Sequence, residues 1–172
     1  MKLEAIGFNV DASVVTNRVK VNVEKVRSRA LATLARRLIV QARRDIQNEY
    51  NLKAARIRDG LSIRRPDNGA VILRGSARGI NLIAFGARWN KRKGVTARVL
   101  KSGKQTLRPH AFIARGRNGN TLVFERRGKT RLPLDAEYGP SVGQMLKHGD
   151  RPKRLADYAS GVVAAELARL TR

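Results

Sequence analysis

The sequence predicts an α+β fold, in which a long N-terminal helix packs on a small, mostly antiparallel sheet and a C-terminal helix follows. Three observations support this prediction. Apolar residues recur every three or four positions over residues 17–48, short apolar segments alternate with turns over 61–133, and helical spacing returns over 140–170. Because no repeat or linker interrupts the 172 residues, we expect a single domain spanning residues 1–172.

The N-terminal part predicts a short strand and then the long helix. Residues 3–10 alternate loosely between apolar and polar side chains, as a strand does. The helix follows from apolar residues on one face: Val19, Val23, Val26, Ala30, Leu34, Leu38, Ala42 and Ile46. Cations lie away from that face, at Arg29, Arg36, Arg37, Arg43 and Arg44. We interpret this basic stripe as a solvated face, with a binding surface as the alternative.

The middle of the chain predicts the sheet. Residues 52–60 form two helical turns that end at Gly60. The predicted strands cover 61–64, 70–74, 80–85, 96–100, 111–114 and 121–125. Two Asn-Gly pairs, at 68–69 and 118–119, favour the positive φ of tight turns, so they predict hairpins between the strands that flank them. Helical spacing returns at 155–170, where Gly161 weakens the predicted helix.

A loop predicted at residues 86–94 concentrates cations. Four Lys and Arg lie within residues 88–93, together with Trp89, the single tryptophan of the chain. Like charges so close together repel one another, and we therefore expect this loop to be mobile in the free protein.

The charge balance predicts a counter-charged partner. The chain has 37 Lys and Arg against 13 Asp and Glu, a formal net charge of +24. Residues 51–133 hold 21 of these cations and three of the carboxylates, so the excess is concentrated in the predicted sheet. Self-repulsion of this size favours contact with nucleic acid or an acidic protein surface. A basic surface that only keeps the protein in solution is the alternative.

Composition argues against several classes of protein. The absence of Cys excludes disulfides, thiolate metal sites and cysteine nucleophiles. The apolar runs are too short for a membrane span, and no apolar segment near Met1 has the length that a secretory signal needs. His110 and His148 are the only histidines and have no acidic cluster beside them in sequence, so we predict neither a metal nor a cofactor.

Catalytic motifs are also weak. Residues 139–143 match the G-x-S-x-G pattern of a serine nucleophile, but Pro140 precedes Ser141 and no apolar strand leads into the motif. We therefore interpret Ser141 as a helix cap. Clustered carboxylates for metal-dependent phosphodiester chemistry are missing from the basic region, and no phosphate-binding glycine loop is present. The sequence thus predicts a protein that is not an enzyme.

Several blocks of sequence resemble the minor tail protein Z family of long-tailed bacteriophages. They occur in the family's order over about residues 15–145, beginning with a long basic helix that ends in Tyr50-Asn51-Leu52-Lys53. The further blocks are Phe85-Gly86-Ala87-Arg88, Lys91 to Ala97, Pro109 to Ala114, Val123 to Lys129, Arg131 to Leu134 and Tyr138 to Val142. The family's pattern includes Gly-Pro-Ser-Val without serine chemistry.

The resemblance implies a structural protein of a phage or prophage virion, which completes the tail near its head-proximal end. Expected partners are other tail proteins, neck or connector proteins and the DNA end, after assembly in the host cytoplasm. Since tails are rotationally symmetric, copies of the chain can form a ring. From charge alone we predict that contact is made by Arg88, Lys91, Arg92, Lys93, Arg126, Arg127, Lys129 and Arg131.

Two other functions stay open at this point. The first is a free-standing nucleic-acid-binding protein that contacts phosphates without sequence preference, and its affinity would fall steeply with salt. The second is an esterase that uses Ser141, whose activity would be lost in Ser141→Ala.

Overall fold

A computed structural model describes residues 3–8, 23–66 and 69–170 of the chain. Helix α1 (Val23–Glu49) has most of the predicted apolar face: Ala30, Leu34, Leu38, Ala42 and Ile46 are buried. The first turn differs from the prediction, because Val23 is 53% exposed and Val26 is only partly buried. The start predicted for this helix, residues 17–22, lies outside the described residues. The predicted α+β class, with a long N-terminal helix, antiparallel strands and a C-terminal helix, is confirmed.

The second long helix runs antiparallel to α1. A short helix, α2 (Ala54–Asp59), follows α1 and ends at Gly60 as predicted, whereas the C-terminal region contains α3 (Val142–Lys147) and α4 (Arg151–Leu170). Glu49 at the end of α1 pairs with Arg151 at the start of α4, and Arg37 in the middle of α1 pairs with Glu166 near the end of α4. The two helices therefore run in opposite directions. We call this line of contact the α1–α4 seam.

The strands form small sheets in which every recorded pair is antiparallel. Strand β3 (Val71–Ser76) lies between β1 (Leu3–Phe8) and β2 (Leu61–Arg64), which confirms the predicted hairpin of β2 and β3. Alternate residues of β3 are buried, because one face of this sheet packs against α1 and α3.

Two further three-stranded sheets lie in the basic middle of the chain. The first consists of β5 (Arg88–Asn90), β6 (Gly94–Ala97) and β7 (Thr106–Arg108), with β6 at its centre. The second has β9 (Thr121–Arg126) between β8 (Ala111–Arg115) and β10 (Leu134–Ala136). The predicted turn at 118–119 connects β8 to β9, and Gly119 has the expected positive φ of 79°.

A short strand pair and a helical turn link these sheets to the core. Strand β4 (Gly79–Asn81) pairs with β11 (Tyr138–Ser141), and a 3-10 helix, Leu82–Phe85, follows β4 directly. The buried Asn81 side chain exchanges two hydrogen bonds with the backbone of Val123, at 2.9 and 3.1 Å. The Glu137 N–H also bonds to the Val123 carbonyl, at 2.9 Å, so that the backbone of Val123 is fully hydrogen-bonded on this side of β9.

Several predicted boundaries are wrong. The strand predicted at 80–85 ends at Asn81, because the Asn81 carboxamide accepts the Ile83 N–H and starts the 3-10 helix. The strand predicted at 96–100 begins at Gly94 and ends at Ala97. The loop predicted at 86–94 contains strand β5, which pairs with β6. Its mobility in the free protein stays a prediction. Strands β7, β10 and β11, each three or four residues long, are absent from the prediction.

Candidate basic interface

The first predicted group of cations lies on a hairpin made by β5 and β6. Asn90 pairs with Gly94, and between them the Asn90 carbonyl accepts the Lys93 N–H at 3.2 Å while its side chain accepts the Arg92 N–H at 2.9 Å. Gly94 has a φ of 87°, the left-handed conformation that closes a three-residue hairpin loop. The backbone of the turn is thus well defined, although three consecutive cations occupy its tip.

The side chains of this hairpin are exposed and uncompensated. Arg88, Lys91, Arg92 and Lys93 are all exposed, and no carboxylate of residues 23–66 and 69–170 lies within 4.0 Å of them. Trp89 is 53% exposed, which is unusual for so large an apolar side chain. The hairpin therefore presents four positive charges and an indole ring to solvent.

The second predicted group of cations lies at the end of β9 and in the connection that follows, and one of its four members is paired with a carboxylate. Arg126 lies over the ring of Phe112, with its guanidinium carbon 5.3 Å from the ring centroid. Arg127 instead forms two hydrogen bonds with the Asp135 carboxylate, at 2.8 and 2.9 Å. Lys129 and Arg131, in the connection to β10, are exposed and have no such partner among the described residues.

The Arg127–Asp135 pair changes the pKa values of both groups. Hydrogen bonding to the guanidinium lowers the pKa of the Asp135 carboxyl, and the same bonds raise the pKa of Arg127. Of the eight predicted contact residues, Arg127 is the one whose charge is already balanced within the protein. It is accordingly the weakest candidate for an intermolecular contact.

Backbone contacts link the segments that carry the two groups. A methyl group added at Gly94 would lie 2.3 Å from the carbonyl oxygen of Arg108 and 2.5 Å from that of Pro109, so the hairpin turn touches the connection between β7 and β8. Strand β8 starts two residues later at Ala111, which pairs with Glu125 next to Arg126. We call this region, with Arg88, Lys91, Arg92, Lys93, Arg126, Lys129 and Arg131, the basic end.

A buried charged cluster that the sequence did not predict lies at the α1–α4 seam. The Arg151 side chain is completely buried, bonds to the Met145 carbonyl and the Glu49 carboxylate, and lies over the ring of Tyr50 at 5.8 Å. Burial raises the pKa of the Tyr50 hydroxyl, and the negative charge of Glu49 adds to the increase. An arginine at a helix start resembles any surface cation in sequence, so periodicity could not reveal the cluster.

The residues considered for catalysis have structural roles. Ser141 is 2% exposed and caps α3: its hydroxyl accepts the Gln144 N–H at 3.1 Å, while the Gln144 side chain accepts the Ser141 N–H at 2.9 Å. This reciprocal pair is a capping box and confirms the interpretation of Ser141 as a cap. His148 lies 3.2 Å from Glu49 at the seam. Within the described ranges, no cluster of three or more metal-ligating side chains occurs.

Comparison with protein-family models identifies the family. The model of the prophage minor tail protein Z matches residues 9–158, which is most of the chain. The chain belongs to this family. The match extends beyond the blocks of residues 15–145 that carried the resemblance, and it includes both groups of the basic end, the cap at Ser141 and the first part of α4.

Membership of this family indicates the general role of the protein. The chain is therefore a minor tail protein of a phage or prophage, a component of the virion tail that contacts other tail proteins. No curated protein and no solved structure gives a significant match. None of the helices in the described ranges has the length and apolar character that a bilayer crossing requires.

Proposed function

We propose that this minor tail protein is a non-catalytic tail-completion protein, which acts near the head-proximal end of the tail and docks through its basic end. The proposal is supported by the exposure of seven cations on two segments, 86–94 and 124–133, whose backbones are linked by the contact of Gly94 with the β7–β8 connection and by the pairing of Ala111 with Glu125. Like charges gathered without carboxylates are costly in the free protein. An acidic tail or connector surface, or a DNA end, would remove that cost.

Docking through these cations depends on their number. An exposed ion pair contributes on the order of 0.2 to 1 kcal/mol, so no single residue of the basic end decides affinity. Several pairs formed together can fix the orientation of the protein on its partner, and the attraction weakens as salt shortens the screening length. In our proposal the single domain can repeat as a ring around the tail axis, which would multiply the contacts by the number of copies.

The test is a triple charge reversal in the phage or prophage genome. Lys91→Glu, Arg92→Glu and Lys93→Glu change the net charge by six units at the tip of the hairpin, and we expect the yield of joined particles to fall at least tenfold. The matched control reverses Arg29, Arg36 and Arg44, which are exposed on α1 and lie outside the basic end. Normal joining by the hairpin variant, or equal losses in both variants, would contradict docking through the basic end.

The exposed indole favours a second candidate, direct nucleic-acid binding. An aromatic ring among cations can stack on a base while the cations contact phosphates, and Trp89 has Arg88 and Lys91 close to it in sequence. This alternative predicts tight binding of a single-stranded oligonucleotide, a loss of more than tenfold between 50 and 200 mM salt, and a loss in Trp89→Ala. If the protein binds in this way but is absent from purified particles, the alternative replaces tail completion.

A further inference from the structure

The second three-stranded sheet has an apolar face that faces away from the core. Residues that pair directly across an antiparallel sheet have their side chains on the same face. Phe112 pairs with Phe124, and their ring centroids are 6.4 Å apart. Ala114 pairs with Leu122 on one side, and Ala136 pairs with Phe124 on the other. With Leu134, which pairs with Arg126, six apolar side chains share this face.

The opposite face of the same sheet is the one that joins the core. Val123 and Ala111 alternate with the residues just described and are almost completely buried, at 0% and 2% exposure. None of the six apolar residues belongs to the core or to the partly buried apolar side chains packed against it. All six are partly buried, and neighbouring side chains of the same sheet provide part of that burial. We call them the outer face of the β8–β10 sheet.

The composition of this face differs from that of the solvated face of an ordinary sheet. An antiparallel sheet normally alternates apolar residues toward the core with polar residues toward water. Here the outer face has six apolar residues, two of them phenylalanines, although it is not the face that packs on the core. A contiguous apolar patch with a polar rim is typical of a surface that another protein covers.

The rim of the outer face identifies the chemistry of the partner. Arg126 extends over Phe112 on this face, and Lys129 and Arg131 follow in the adjoining connection. A second copy of the chain would set another protein of net charge +24 against these cations, whichever of its surfaces it used. The sugar-phosphate surface of DNA would satisfy the cations but would leave the phenylalanines exposed or facing phosphates. An acidic protein surface with apolar side chains at its centre satisfies both.

We propose that the outer face of the β8–β10 sheet is the apolar centre of a protein docking site, which binds an acidic tail protein. The proposal rests on the proposed docking function and adds to it an apolar contact that salt does not screen. Phe112, Phe124 and Leu134 would be buried in the complex, while the surrounding cations would orient the partner and exclude water from the rim. The uncompensated charge of the hairpin would then accelerate the encounter, and the apolar face would hold the complex together.

The experiment compares incorporation of variants into tails made by a host whose phage or prophage lacks the wild-type gene. One variant carries Phe112→Ser and Phe124→Ser, which remove the apolar centre. The other carries Ala136→Glu, which leaves both phenylalanines in place and adds a carboxylate that an acidic partner would repel. Val40→Glu is the matched control, because Val40 is 38% exposed on α1, away from the sheet. Urea unfolding of each purified protein verifies that the variants fold.

We expect both face variants to be incorporated at least tenfold less than the wild type, and Val40→Glu to be incorporated normally. Normal incorporation of a folded Ala136→Glu protein would overturn the docking face. If the triple reversal of Lys91, Arg92 and Lys93 nevertheless blocked incorporation, docking through the basic end would remain supported, with no contribution from the outer face. Absence of the wild-type protein from tails would overturn tail completion itself. A tenfold loss of duplex DNA binding at constant salt in Ala136→Glu, with normal incorporation, would assign the face to nucleic acid and also overturn the proposal.

Discussion

The α1–α4 seam and the basic end use the same residue types in opposite ways. At the seam, Glu166 lies between Arg37 and Arg169 at 3.4 and 2.9 Å, and Glu49 bonds to the buried Arg151. At the basic end, seven cations have no carboxylate within 4.0 Å among the described residues. The chain has only 13 carboxylates for its 37 cations, and the fold places several of them between its two long helices.

This difference teaches that net charge alone does not identify a binding surface. A cation that is buried at the seam contributes to helix packing, and its removal changes the free energy of unfolding. An unpaired cation at the tip of a hairpin contributes little to that free energy, because water already solvates it. Stability and docking should therefore respond to different arginines, and the following variants test that separation.

The largest effect on stability is expected at the seam. Arg151→Met removes the buried cation that bonds to the Glu49 carboxylate and the Met145 carbonyl, so that Glu49 loses its partner on α4 and the Met145 carbonyl keeps only the His148 N–H at 3.3 Å. We expect the free energy of unfolding to fall by about 3 kcal/mol, measured by urea denaturation. The matched control is Arg154→Met on the same helix, whose exposed side chain is 4.0 Å from Asp45; it should change stability by less than about 0.5 kcal/mol. Equal effects of the two variants would contradict the distinction between buried and exposed cations.

An intermediate effect is expected at the hairpin backbone. Gly94→Ala puts a side chain into a left-handed conformation and also forces it against the carbonyl oxygens of Arg108 and Pro109. Gly119 has a similar positive φ of 79°, but nothing lies within 4 Å of an added methyl group there. We expect losses of about 2 to 3 kcal/mol at Gly94 and about 1 kcal/mol at Gly119, measured by urea denaturation. If the losses are equal, the close approach of the hairpin to the β7–β8 connection is not rigid.

The regular elements of the fold were predictable because period and turn chemistry are local. Five apolar positions of α1 are buried as their spacing indicates, and the Asn-Gly turn before β9 forms as expected. The 3-10 helix after β4 was not predictable, because the apolar run at residues 80–85 resembles a strand until the Asn81 carboxamide bonds to Ile83. The hydrogen bond between the Asn81 side chain and the Ile83 N–H competes with strand pairing of the same segment. The composition of the segment does not reveal whether the helical turn or the strand forms.

The candidate site was only partly predictable for the same reason. The cations of the hairpin can be located in the sequence, but their proximity to Arg126 depends on the contact of Gly94 with the β7–β8 connection. The outer face also needs long-range register, since only the pairing of Phe112 with Phe124 shows that both rings share one surface. Arg127 shows the converse, because an arginine predicted to contact a partner is bonded to Asp135 within the protein.

The smallest effect is expected at that Arg127–Asp135 pair, the one compensated cation among the predicted contact residues. Because the pKa of the Asp135 carboxyl is lowered from its ordinary value of 3.8, the folded protein binds this proton less tightly than the unfolded chain does. The contribution of the pair to stability is therefore fully present above pH 3.8 and is lost as the pH falls through the lowered value. Titration of the Asp135 carboxyl by carbon-detected NMR should give a midpoint below 3.8 in the wild type and one near 3.8 in Arg127→Gln, whereas tail incorporation should be equal in the two. An unchanged midpoint would show that Arg127 is not held by Asp135 in solution, and it would then join the other seven residues as a free cation of the basic end.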